Sequence, residues 1–159
     1  MAGRSVRLWA LAGGAIALAA AAAVALAVVA AAGRGRAALR EAARAGETFL
    51  NRAGAGDVAG SYALMTEDGK RRLPRADHAF RVEEARWALG DYRARTDDLE
   101  LSGMVVWKRD GWRCLAGYSL AGPKGTGAAS VELRREAGAW RVQSWSWALA
   151  AAGTGDAGR

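Results

Sequence analysis

The chain has 159 residues, with 23 Lys and Arg against 16 Asp and Glu for a net charge of +7, one histidine and one cysteine. One cysteine, Cys114, excludes an internal disulfide, and one histidine, His78, without a Cys/His cluster excludes a structural zinc site. The length provides for a single domain, and part of it is used before that domain begins.

Residues 1–7 form a short tail with Arg4 and Arg7. From Leu8 to Gly33 the run LWALAGGAIALAAAAAVALAVVAAAG carries no charge. As a helix it would be about 39 Å long at 1.5 Å per residue, enough to cross a hydrocarbon core of about 30 Å. Its Leu, Ile and Val residues together contribute roughly −2.5 to −5 kcal/mol to insertion. Ala30–Ala32 gives small residues of the kind found at signal cleavage sites. A signal's apolar region, however, runs about 7–15 residues, so the length favours a retained transmembrane helix over 8–33. No cysteine near its end marks a lipoprotein. Gly13, Ala17 and Ala21 make a small-residue seam of the kind that pairs helices, but in so alanine-rich a run that spacing arises by chance.

Arg34, Arg36, Arg40 and Arg44 come after the run and outnumber the two arginines before it. That count holds the domain in the cytoplasm, whereas a short amino end with two arginines is the usual form of an anchor that exports the domain behind it. The expectation adopted is a single-pass cell-membrane protein with an extracytoplasmic domain, against the arginine count. Every acidic residue lies after the anchor. The mild basic excess there is interspersed and not gathered with aromatics on one face, so nucleic acid is not an expected partner.

Leu39, Ala42, Ala43, Phe49 and Leu50 share a stripe of a helix over 37–51. RAGAGD breaks it, and Asp57 is placed to cap a second helix, VAGSYALM, with Val58, Tyr62 and Met65 on one face. TEDGKRRLPR reads as a solvated basic loop with one helical turn, stopped at Pro74. Asp77 is placed to cap a third helix that carries Phe80 and Trp87 seven apart and ends at Gly90. Then the period changes. Trp112, Cys114, Ala116, Tyr118 and Leu120 alternate as a half-buried strand does. Strands are expected over 92–101, 104–108, 112–120, 127–136 and 139–149, joined by turns at Asp110-Gly111, Pro123-Lys124 and Ala137-Gly138. In the last strand the apolar phase slips between Val142 and Trp145, the mark of a bulge. Residues 150–159 read as a disordered tail.

The loop Gly122, Pro123, Lys124, Gly125 (GPKG) has the look of a phosphate cradle. A phosphate loop needs its lysine after the last glycine and a helix immediately beyond. Here Lys124 precedes two glycines, and AASVELRRE alternates like a strand, so the loop is a hairpin turn. His78 has no nucleophile motif near it and reads as a solvated or helix-start histidine. Glu83-Glu84 and Asp97-Asp98 are neighbours whose side chains diverge, hence surface charge and no acid/base pair. The tryptophans carry most information. With a phase slip in the last strand they cannot all face one way, leaving one or two to line a pocket or an interface. The candidates for such a place are Tyr62, His78, Trp112, Tyr118, Trp145 and Trp147. No catalytic residue, metal ligand or cofactor is assigned.

Three segments, FLNRAGAGDVAGSYALMT, LGDY and VELRREAGAWRV, set in an order of helices first and hairpins after, resemble the nuclear-transport-factor-2-like (cystatin-like) superfamily. That resemblance implies a curved antiparallel sheet wrapped around helices into a cone with a concave pocket. Some members are cyclases or isomerases, and many bacterial ones sit behind one membrane helix as accessory or scaffold modules. AGPKGTGAASVELRREAGAW also resembles a hairpin of the cytochrome-oxidase assembly factor family, which pairs one membrane helix with a small α+β domain. The expectation is therefore an α+β protein: a membrane helix, then a cone-like domain over 34–149. Its implied role is that of a non-catalytic accessory protein with a protein partner in a membrane complex. Oxidase assembly and a small-ligand or isomerase-like use of the cone pocket are the alternatives.

Overall fold

The computed structural model describes residues 36–96, 103–108 and 111–150, with only the backbone given over 103–108. The expected membrane helix over 8–33, Asp110 of the first turn and the tail beyond Ala150 lie outside the described residues. Among the described residues no helix is long and apolar enough to cross a membrane.

Helix α1 runs through residues 36–54. Its stripe of Ala42, Ala43, Phe49, Leu50 and Ala53 is fully buried. Asp57 caps α2 (Val58–Ala63) by accepting from the Gly60 amide, as the sequence leads one to expect. The basic segment holds more helix than expected. Thr66 accepts from the Gly69 amide and caps α3 (Glu67–Arg72), whose acidic first turn and basic last turn match its dipole. Leu73 precedes a proline and is held out of the helical region (φ −126°, ψ 88°), so α3 stops and α4 (Arg75–Leu89) begins at once. Asp77 is thus in the first turn of α4 and not its cap; Pro74 occupies that position. Gly90, at φ 80°, closes α4.

Among the described residues, five strands then occupy four places in one antiparallel sheet. β3 (Gly111–Gly122), β4 (Gly125–Glu136) and β5 (Ala139–Leu149) are successive hairpins. β1 (Arg93–Arg95) and β2 (Gly103–Lys108) lie end to end along the other side of β3. The strand expected over 92–101 is three residues long among the described residues, and the pairing with β3 resumes only at Gly103↔Ala116. Among the described residues, α1 and α4 pack on one face of the sheet. Cys114, Ala116, Tyr118 and Leu120 of β3, with Ala129, Val131 and Leu133 of β4, form the sheet side of the core.

The expected bulge is present: Glu132 pairs with Ser144 but Leu133 with Val142, so Gln143 is the extra residue. Its effect differs from what the phase slip implied. Trp140 and Val142 face the helices before it, and Trp145 faces them after it; the bulge lets tryptophans out of phase share one face. The outer edge of β5 is covered in its middle by the α2–α3 corner, where Thr66 donates to the Val142 carbonyl (2.9 Å) and Val142 to that of Leu64 (3.0 Å).

The Ala137-Gly138 turn has φ of 49° and 83°, both left-handed, as a tight hairpin requires. Ala137 carries a Cβ in that region at a cost of about 1–2 kcal/mol. Replacing Ala137 by Asn, which enters this region more readily, is expected to stabilise the domain by roughly 0.5–1 kcal/mol. The check is the urea midpoint, which should rise; an unchanged or lower midpoint would contradict the assigned turn.

Candidate functional site

His78, expected to be a solvated or helix-start histidine, is at the start of α4 and fully buried. It sits on the first turns of α4, and the stripe it shares with Val82, Ala85 and Leu89 is the inward face of that helix. Three rings surround it: Tyr62 at 5.5 Å, Phe49 at 5.8 Å and Trp145 at 5.8 Å between centroids. Ser61, also fully buried, sets its Oγ 2.9 Å from His78 Nε2. Arg81 closes the outer side, stacked over Trp145 and donating to its carbonyl at 2.7 Å.

A buried serine beside a histidine invites comparison with a nucleophile and its base. Ser61 Oγ lies within hydrogen-bond reach of both the Val58 carbonyl (3.2 Å) and His78 Nε2 (2.9 Å), and its single proton serves one of them at a time. Nδ1 has no partner. With both residues shut off from solvent, the pair holds α2 against α4.

The remaining candidates are not brought together here. Tyr118 stands on the next inward row of the sheet and donates to the Ala43 carbonyl of α1 (3.0 Å). Trp147 and Trp112 are half-buried and packed against the core. Cys114 is buried in the sheet, and desolvation lifts its thiol to about 11, which makes it a poor nucleophile. Among the described residues no three His, Cys, Asp or Glu side chains are grouped to hold a metal ion.

The GPKG turn docks on the end of α4. The Lys124 amide donates to the Leu89 carbonyl (3.0 Å) and its ammonium to the Trp87 carbonyl (3.2 Å), where a cation suits the helix dipole. A side chain at Gly122 would collide with the Leu89 carbonyl; the glycine is required by this packing.

Sequence reasoning did not single out Gln143 or the outer face of α4. The Gln143 side chain turns inward at the bulge, accepting from the Thr66 hydroxyl (2.9 Å) and donating to Asp68 (2.6 Å). That amide, with Arg71 and Arg72, holds the Asp68 carboxyl below its ordinary range. On α4, Phe80 and Trp87 are 70% and 82% exposed. They line an open cleft of about 620 Å³ together with Glu83, Glu84, Asp91 and Lys124. The clue in the sequence was that His78, Val82, Ala85 and Leu89 already supply an inward stripe, leaving the two aromatics with the glutamates.

No family model matches the chain, and no curated protein matches it.

Burial first, and the Arg81 charge second, push the His78 pKa down from 6.5 to about 4. Between those values the unfolded chain binds a proton that the native protein does not. Stability from this group is therefore complete above pH 6.5 and is lost as pH falls toward 4. Between pH 7 and pH 5 the expected loss is about 2 kcal/mol. Urea denaturation at the two pH values should show it in the wild type and not in His78→Leu; an equal loss in both would contradict the assignment.

Proposed function

We propose that this is a single-pass, membrane-anchored accessory protein whose α+β domain, of the nuclear-transport-factor-2-like kind, holds a partner protein in a membrane complex without catalysing a reaction. The observation that carries the reading is the exposure of Phe80 and Trp87, two large aromatics on one helix face and of the type that dominates protein interfaces. The unbroken apolar run over 8–33 supports the anchor, and the order of helices before hairpins supports the fold kind. The Ser61–His78 pair is fully buried and no acid meets His78 Nδ1 to orient it as a base, which favours a binding role over an enzymatic one.

The GPKG hairpin, on which the resemblance to oxidase assembly factors rests, borders this same face through Lys124. A respiratory oxidase subunit is accordingly a candidate partner. The domain is proposed to lie outside the cytoplasm, and a reporter fused to the C-terminus that becomes active only in the cytoplasm would overturn that placement.

The test is purification of the full chain from crosslinked membranes, with wild type and Trp87→Ala compared by mass spectrometry. Trp87 is so exposed that its removal should change stability by no more than about 0.5 kcal/mol. A membrane protein recovered with the wild type should fall by roughly tenfold or more with the variant, as for an interface anchor. Equal recovery, or nothing above background with either, would contradict the proposal.

A further inference from the structure

Ala76, Phe80, Glu83 and Trp87 recur on α4 at spacings of four, three and four, and all four are exposed. That spacing sets the four side chains on one face of the helix. Its charge is uneven. Arg86 is engaged by Asp91, with Nη2 2.6 Å and Nε 3.2 Å from one carboxylate oxygen. Lys124 is drawn to the Trp87 carbonyl at the helix end. Glu83 and Glu84, between the two aromatic rings, have no ion pair among the described residues. The centre of the face is thus acidic in a chain whose net charge is +7.

Three kinds of surface could cover it, and the charges separate them. In a pairing of two copies, antiparallel helices set Glu83 against the other copy's Glu84, and parallel helices set each glutamate against itself. Like charges brought together at an interface cost several kcal/mol. An anionic bilayer is repelled by the same carboxylates. A helix with cations between its apolar residues has neither penalty.

We infer that the outer face of α4 docks an amphipathic helix of a partner protein that places Lys or Arg against Glu83 and Glu84 and apolar side chains against Phe80 and Trp87. This rests on the partner-holding reading above and adds the chemistry of the element held. The test is site-specific photocrosslinking of the full chain in its native membranes, with p-benzoylphenylalanine in place of Phe80, followed by digestion and mass-spectrometric location of the linked segment. The expected product is a segment of another protein with net positive charge and apolar residues at helical spacing. Its yield should fall by about tenfold when Glu83→Lys and Glu84→Lys are combined, as reversal of a complementary pair implies. A neutral or acidic segment, or a yield indifferent to the reversal, overturns the inference while the accessory reading stands. So does an adduct to lipid or to a second copy. An absence of adduct overturns the inference alone if the purification still recovers a Trp87-dependent partner, and both readings if it does not.

Discussion

The inward turn of β5 depends on one extra residue. A regular strand that buries Trp140 and Val142 would carry Trp145 to the solvent face. The bulge at Gln143 resets that phase, and a buried tryptophan is worth about 3–5 kcal/mol if truncated. A bulge also puts an amide side chain inside the protein, where an unpaired polar group costs roughly 1–3 kcal/mol. Thr66 and Asp68 meet it on both sides, and Thr66 is itself occupied as the α3 cap. The same network therefore secures the bulge, starts a helix and fastens the α2–α3 corner over a sheet edge that would otherwise offer unpaired backbone groups.

The consequences reach α4 through Trp145. Its ring forms one wall around His78, and Arg81 clamps it from outside. These contacts fix the rotation of α4 about its axis at its first turns, and the GPKG turn on Trp87 and Leu89 fixes the last. With both ends set, His78, Val82, Ala85 and Leu89 must face the sheet and Phe80 and Trp87 must not. The exposed aromatic face is thus a consequence of how the interior is packed, and its exposure does not arise from a loose or frayed helix.

Much of this was legible in the residues. The period-two run of β3, the Asp57 cap, the proline stop between α3 and α4 and the bulge all arise from local patterns whose physical cause lies within a few residues. What was not legible depends on contacts distant in sequence. His78 reads as a solvated or helix-start residue, or as one of several pocket candidates, and only the convergence of Tyr62, Phe49 and Trp145 from three other elements shows it is core. Gln143 gives no local sign of its place, since its partners are 75 and more residues away. Phe80 and Trp87 look like core residues by hydrophobicity; the stripe through His78 excludes that, but only once a histidine is counted as an inward residue.

The central claim is that α4 turns Trp87 outward to meet a partner while Trp145 is sealed inside. Hydroxyl-radical footprinting, read by mass spectrometry on the full chain both in native membranes and after detergent purification, measures both tryptophans at once. The expected result is strong oxidation of Trp87 in detergent, protection of Trp87 in membranes, and protection of Trp145 in both. Oxidation of Trp145 at the level of Trp87 would contradict the fold described for β5 and α4, and equal oxidation of Trp87 in membranes and detergent would contradict a partner on that face.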